Sequence, residues 1–557
     1  MRKALVSILI GAFCFGFAVT AAWAQADTAK AETKTELKIE KAQEPPRRTS
    51  PADSTTENSV TIGGQKIEYR AVAGVIVVGG TDTFDTQIAS DGQLLPDVVL
   101  NPTDPAKPEE APARARMFYT AYFRKGSAAG TRPVMFIFNG GPGSSTMWLH
   151  MGSFGPRRVV TPDGEHKAAA PYSIVDNPYC LLDVSDLVFI DMPGAGFSRI
   201  AGKDKEKAFW GVDQDAHAFA RFIRKFLTKY DRWNSPKYLF GESYGTPRAA
   251  VLSAMLQGVD LNGIVLLSAI LNFDNSVDGP RGNPSIDQPY ILALPTYAAS
   301  AYYHRKLPSQ PASIDAFLKD AEQFATGDYA AALMAGSELP EAKMREVATK
   351  LNSFTGLPVD YILKADLRIQ GGAFTKMLRD PEGMTAGRLD TRFTGPDLNR
   401  LSEEADYDPQ ASAISSAYTA AINEYLRSEL KFGRDETYKP NTYADIGGKW
   451  DMHHSPAGGD TGEQGNGSST NTMLDLAFSM KTNPKLHVLL TGGYYDLATP
   501  YFEGVFEMRH LPIPRKLQSN ITYKYYESGH MVYLNDEVAR KFKADVAQFI
   551  RDTETGK

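Results

Sequence analysis

Lys237-Tyr238-Leu239-Phe240-Gly241-Glu242-Ser243-Tyr244-Gly245-Thr246-Pro247-Arg248-Ala249-Ala250-Val251-Leu252 changes character at its middle. The first four residues are a short strand-like run, the last six are helix-like, and G-x-S-x-G stands between them. The bare pentapeptide recurs by chance in about one chain of this length in every few. Its setting is what informs. A nucleophile elbow needs a tight strand-to-helix turn, permitted by glycines on both flanks, and a serine raised above the sheet at a helix N-terminus. All of these can be read around Ser243, which makes it a candidate nucleophile; the plainer alternative is a structural turn.

Other short apolar runs on either side have the texture of buried parallel strands: Val134 to Phe138, Leu187 to Ile190 and Ile264 to Leu267. Ala216, Phe219, Ile223, Phe226, Leu227 and Tyr230 fall on one stripe of a helix, with Arg221, Arg224, Lys225 and Lys229 assigned to the other face. Strands alternating with helices give an α/β class, a mostly parallel central sheet with helices on both faces. Glycine-broken β-like runs precede it, Gly74 to Gly80 and Met117 to Phe123. Between about 280 and 475 helical segments take over: Tyr290 to Tyr303, Ser313 to Phe324, Glu341 to Phe354 and Ala411 to Leu430. Gly458 to Thr472 is a loop by composition. Strand texture resumes at Leu486 to Leu490 and Thr522 to Tyr526, and a last helix carries Val538, Phe542, Val546, Phe549 and Ile550. The expected organisation is a core in two parts, 59–280 and 476–557, interrupted by a mainly helical cap insertion over 281–475.

An elbow serine requires an oxyanion hole and a base. One backbone donor follows the nucleophile, at Tyr244, and the second is expected from a glycine-rich loop after an earlier strand. Asn139-Gly140-Gly141-Pro142-Gly143-Ser144-Ser145 directly follows Phe136-Ile137-Phe138 and supplies such a loop. With the order serine, acid, histidine, only three of the nine histidines fall in the resumed α/β part: His487, His510 and His530. His487 lies within a strand and ahead of Asp496, and His510 reads as a helix-end residue. Asp496 and His530 each follow a strand on a glycine-containing loop, the position from which a carboxylate can orient an imidazole.

The chain has 557 residues, 42% of them hydrophobic, and a net charge of -6. That balance argues against a disordered tail protein and against a nucleic-acid partner. Arg2 and Lys3, the uncharged run Ala4 to Thr20 and Ala22-Trp23-Ala24 form a signal-peptide pattern, with cleavage expected after Ala24. Removing residues 1–24 leaves 58 basic and 66 acidic side chains and one cysteine, Cys180, so no intrachain disulfide can form. Residues 25–58, rich in Lys, Glu, Thr and Pro, read as a flexible lead-in. No later stretch is long and apolar enough to span a bilayer. An exported protein without disulfides fits a periplasm better than a glycosylating pathway, in which Asn466 and Asn520 would be acceptors. Cofactors and metals are not expected; adjacent His453 and His454 lack a spaced third ligand.

Asn139 to Ser145, Asp191-Met192-Pro193-Gly194-Ala195-Gly196-Phe197-Ser198, Gly241 to Gly245 and Ser528-Gly529-His530-Met531-Val532 resemble the four signature blocks of the serine carboxypeptidases, an α/β-hydrolase family. The resemblance covers about 115–275 and 485–550. It implies an α/β-hydrolase fold and an acid-active exopeptidase that removes C-terminal residues through an acyl-enzyme. It further implies Ser243 as nucleophile, His530 as general acid/base, Asp496 as orienting carboxylate, Gly141 and Tyr244 as oxyanion-hole donors, and Asn139, Gly140 and Glu242 as the grip on the substrate's terminal carboxylate. Glu242 also makes sense on its own, because a carboxyl group can hydrogen-bond a carboxylate only while protonated. The alternative for Glu242 is a helix-terminal charge satisfied by local amides.

Three positions depart from the family pattern. Ser144 stands where the family often has a disulfide-bonded cysteine, Ser153 where a second carboxylate-binding acid is usual, and Thr246 ends the elbow in place of glycine. Gly387-Arg388-Leu389-Asp390 and the aromatic helix from Tyr290 are assigned to the cap, as packing. The leading function is a serine-type carboxypeptidase acting on peptides with a free C-terminus, as a monomer or homodimer. The alternatives are an esterase or acyltransferase on the same triad and a catalytically silent binding protein.

Overall fold

The computed structural model describes residues 51–96, 98, 110–457 and 470–554. The signal pattern 1–24, most of the lead-in and residues 458–469 of the glycine-rich loop lie outside them.

Ten strands form one sheet: β1 (Ser54–Ile62), β2 (Gln65–Gly79), β3 (Arg114–Arg124), β4 (Val134–Phe138), β5 (Asp186–Ile190), β6 (Arg199–Ala201), β7 (Lys237–Glu242), β8 (Gly263–Leu267), β9 (His487–Gly493) and β10 (Ile521–Tyr526). Their order across the sheet is β1-β2-β3-β5-β4-β7-β8-β9-β10, with β6 paired to β3. From β5 to β10 every pairing is parallel, and the β1, β2 and β3 end is antiparallel. This is the α/β-hydrolase architecture. The main helices are α1 (Val212–Lys229), α2 (Gly245–Met255), α3 (Gln288–Tyr303), α4 (Pro409–Ser428), α5 (Tyr501–Arg509) and α6 (Asp536–Glu554).

The central strands are uninterrupted apolar runs because both their faces are covered. Successive residues go to opposite sides. Phe136, Phe138, Leu239, Ile264 and Leu266 pack with Phe219, Phe226 and Leu252 of α1 and α2. Ile137, Phe240, Val265 and Leu267 pack with Phe542, Val546 and Phe549 of α6.

Two details differ from the sequence reading. β1 begins at Ser54, inside the stretch read as a flexible lead-in, and pairs with β2 from Ser54↔Ala73 to Ile62↔Gln65. It is an edge strand whose exposed half, Ser54 to Ser59, needs no apolar residue, so its composition resembles a linker. On α1, Arg221 is buried; its Nε donates to Asp82 at 2.7 Å and its Nη1 to Gly79 O at 2.9 Å. The end of β2 covers that side of the helix, so the basic face is only partly solvated.

The residues between β8 and β9 pack in two ways. Those from Val277 to Leu378 form an apolar cluster of their own that also takes in Tyr495, Leu497, Tyr501 and Phe502. By contrast, α4 buries Ile414, Tyr418, Ile422 and Tyr425 in the cluster beneath the sheet. The chain then runs back over the first half of the core as a strap, with bridges Gly196↔Lys439, Ser144↔Asn441 and Gly211↔Asp451. Two short strands, Met384–Ala386 and Thr394–Pro396, pair within the same region.

Candidate active site

β7 delivers Glu242 and α2 starts at Gly245, so only Ser243 and Tyr244 make the turn. Ser243 has φ +60°, a conformation that non-glycine residues adopt only when the surroundings enforce it. The turn is too tight for side chains at its flanks. A Cβ on Gly241 would lie 2.0 Å from Gly245 O, and one on Gly245 would lie 2.8 Å from Phe138 O. Ser243 N donates to Leu267 O at 3.0 Å. Thr246, the departure from the family pattern, holds the elbow instead: its hydroxyl donates to Ser243 O at 2.8 Å and accepts from Ile270 N at 3.1 Å.

Asp496 follows β9 and His530 follows β10, which brings the two loops together at the same end of the sheet as the elbow. His530 Nδ1 lies 2.8 Å from Asp496 Oδ2. The fully buried carboxylate also accepts from Ala498 N at 2.9 Å, Thr499 N at 3.1 Å and Thr499 Oγ1 at 2.6 Å. Burial disfavours the imidazolium, but the charge of Asp496 and its hydrogen bond outweigh this and, with Glu242, push the His530 pKa up. The histidine backbone is clamped on both sides. His530 N donates to Leu389 O at 2.8 Å, and Ser268 Oγ donates to His530 O at 2.8 Å.

Ser243 and His530 line one cavity of about 520 Å³, together with Asn139, Gly140, Gly141 and Glu242. The glycine-rich loop abuts the elbow backbone: a Cβ on Gly140 would sit 2.3 Å from Tyr244 N. Gly141 has φ +116°, which frees its amide direction from side-chain constraints. The Tyr244 ring turns away from the cavity, edge-on to Trp450 with centroids 5.3 Å apart. Buried Arg248 of α2 donates from Nη1 to Asn139 O at 2.6 Å, tying the elbow helix to the glycine loop.

Glu242 is 2% exposed and has side-chain partners, not the local amides of the alternative reading. Asn139 Nδ2 donates to its Oε2 at 3.0 Å, and the Tyr533 hydroxyl donates to the same oxygen at 2.9 Å. Burial pushes the Glu242 pKa up to about 7, so the group is mostly protonated in mild acid. Such a carboxyl can donate to an anionic ligand. Ser153 contributes nothing comparable; it is buried, and its hydroxyl has no hydrogen-bond partner among the described residues.

No disulfide supports the glycine loop; Cys180 is a buried free thiol. The strap does the holding. Ser145 N donates to Pro440 O at 2.9 Å, Thr442 N to Gly143 O at 2.8 Å, and Tyr443 lies over Gly141 and Gly143. From below, Asp191 of the second sequence block accepts from Thr146 N at 2.7 Å, and Ser198 links Phe118 N to Asp191 O. The strap is anchored at His454, whose two ring nitrogens meet Asp213 and Asp475. Burial opposes its charge, but the two carboxylates push its pKa up to about 9.

Of the residues named from sequence, Asn139, Gly140, Gly141, Glu242, Ser243 and His530 share the cavity, Asp496 backs His530, and Tyr244 contributes backbone at the turn. Tyr533, Tyr443, Arg388 and Leu389 were not among the site residues. Tyr533 lies three residues beyond His530, and that spacing was its only sequence signal.

Residues 109–270 match the serine carboxypeptidase family model. The resemblance read from the sequence is thereby shown over the segment that holds three of the four blocks. Two curated relatives come from Arabidopsis thaliana. Serine carboxypeptidase-like 28 is 28% identical over 182 residues, 30% of this chain and 37% of the relative. Serine carboxypeptidase-like 36 is 26% identical over 179 residues, 31% of this chain and 32% of the relative. The chain thus spans about a third of the length of the curated relatives it matches. Among solved structures, the prohormone-processing carboxypeptidase Kex1Δp from Saccharomyces cerevisiae aligns at 14% identity and a TM-score of 0.47, over 86% of this chain and 91% of that one.

Proposed function

We propose that this chain is a serine-type carboxypeptidase that releases C-terminal residues from peptides through an acyl-enzyme. The reading rests most on one observation: a buried, protonatable carboxyl, Glu242, lines the same cavity as Ser243 and His530 and is held by Asn139 and Tyr533.

In the proposed reaction Glu242, Asn139 and the Gly140 amide hold the terminal carboxylate of the peptide. Ser243 Oγ bonds to the scissile carbonyl carbon as its proton passes to His530 Nε2. Asp496 orients the imidazole and balances the charge it gains. The amides of Gly141 and Tyr244 donate to the developing oxyanion. Collapse breaks the C–N bond, the proton moves from Nε2 to the departing amine, and the C-terminal amino acid leaves. Water then repeats the sequence on the acyl-enzyme, giving its proton to His530 and releasing the shortened peptide. No cofactor is required.

A second reading, an esterase or acyltransferase on the same residues, is favoured by Ser153. With no second acid there, selection for a free carboxylate rests on Glu242 and its partners. The charge pattern of residues 1–24 supports export, to a periplasm or medium. Among the described residues no helix is long and apolar enough to cross a membrane.

The test uses N-blocked dipeptides, their C-terminal amides and their esters between about pH 4 and 8, with Ser243→Ala as control. Acid-favoured release of a free amino acid that disappears in the variant supports the carboxypeptidase. Equal or faster turnover of esters and amides with no acid preference would favour the esterase. Inertness of both proteins, together with resistance to a fluorophosphonate, would leave a binding protein.

A further inference from the structure

Arg388, assigned to packing from sequence, lines the cavity that holds Ser243 and His530. Its guanidinium is gripped along one edge by Asp278, with Nε donating to Oδ1 at 2.9 Å and Nη2 pairing with Oδ2. Nη1 has no hydrogen-bond partner among the described residues, and the side chain is 46% exposed. A guanidinium fixed along one edge offers the other in a set direction, and an arginine stays charged at any relevant pH. The neighbouring Asp408 makes no hydrogen bond to the guanidinium; its oxygens face backbone amides. Oδ2 accepts from Arg388 N and Leu389 N, and Oδ1 from Ala411 N.

The backbone of the same segment reaches the catalytic loops. Arg388 O accepts from Leu497 N at 3.0 Å, one residue past Asp496, and Leu389 O accepts from His530 N at 2.8 Å. A ligand held by this guanidinium is therefore held relative to both loops.

We infer that Arg388 determines specificity: its free Nη1 binds the carboxylate of an acidic side chain beside the scissile bond, so the cavity selects peptides with Asp or Glu there. The terminal carboxylate has a separate place at Asn139 and Glu242, which are almost fully buried and stand just after β4 and at the end of β7, whereas Arg388 is half-exposed and arrives from the insertion. Charge-assisted pairing explains the choice of arginine over a neutral donor. This inference rests on the carboxypeptidase reading for the class of ligand.

The experiment measures binding to the Ser243→Ala protein by calorimetry. The probes are four N-blocked dipeptides, Phe-Glu, Phe-Gln, Glu-Phe and Gln-Phe, each with a free and an amidated C-terminus. At one of the two positions Glu should bind about tenfold more tightly than Gln. Adding Arg388→Gln should abolish that ratio, and adding Asp278→Asn, which frees the guanidinium, should raise it. The inference is overturned if neither position prefers Glu, if the ratio survives Arg388→Gln, or if Arg388→Gln weakens all four dipeptides equally. A dependence on Arg388 that follows C-terminal amidation and not the side chain would overturn it too. Wild-type hydrolysis of the same peptides reports separately on the activity. Cleavage without a Glu preference removes only the Arg388 inference. A Glu preference in binding without release of a C-terminal residue removes only the peptidase.

Discussion

The hydroxyl of Tyr533 donates to Oε2 of Glu242 at 2.9 Å, joining the turn before the last helix to the end of the elbow strand. Asn139 completes the arrangement from a third loop. If this trio grips a substrate carboxylate, Tyr533→Phe should raise KM for dipeptides with a free C-terminus about tenfold, the cost of one well-placed hydrogen bond. KM for the matching esters should change little. Equal effects on both substrates would remove Tyr533 from carboxylate recognition.

Asp496 should matter through orientation. An asparagine there keeps the shape but offers the imidazole the wrong partner, and kcat should fall by about 10⁴-fold. Fluorophosphonate labelling of Asp496→Asn, followed by mass spectrometry, provides the check: Ser243 should be labelled far more slowly than in the wild type, although the fold is intact by circular dichroism.

Activity toward free carboxyl termini should fall as pH rises through about 7, where Glu242 loses the proton it donates. Protonating Glu242 also removes one of the charges that raise the His530 pKa, so the imidazole stays neutral to a lower pH than it would beside a charged Glu242. The lower limb of the profile belongs to His530, which cannot accept a proton once charged. In Glu242→Gln the alkaline fall should vanish for whatever activity survives. Persistence of the fall in that variant would assign it to another group.

The His454 anchor also weakens as pH rises, at a higher pH. Its pKa is raised in the folded state, so it adds stability that is fully present below its ordinary value of 6.5 and is lost as pH rises through about 9. The melting temperature of His454→Asn should lie a few degrees below wild type at pH 6, and the gap should close toward pH 10. A gap independent of pH would mean that the ring acts by packing alone.

Much of this was legible in the residues themselves. Val134 to Phe138 and Ile264 to Leu267 declare themselves as strands because burial on both faces leaves no room for polar residues. The elbow was legible because its glycines are forced by contacts as short as 2.0 Å. The order of Asp496 and His530 after the last two strands pointed to a pair that the structure joins at 2.8 Å. What escaped is what acts through backbone. Leu389 serves by its carbonyl, and Pro440 and Thr442 by main-chain groups, which any residue could supply. β1 escaped for a different reason: half of an edge strand faces water, and its polar composition is that of a linker.

The strap from Tyr438 to His454 also sets an order of events during synthesis. Ser144 and the residue it bridges, Asn441, are separated by roughly 300 positions, the kind of long-range pairing that is slow to close. A nascent chain can complete the central strands and the elbow while its glycine loop still lacks a support. His530 emerges later still, so the reactive constellation is among the last features to assemble. The turn that carries Ser243 is therefore without its histidine partner until nearly the whole chain has been made.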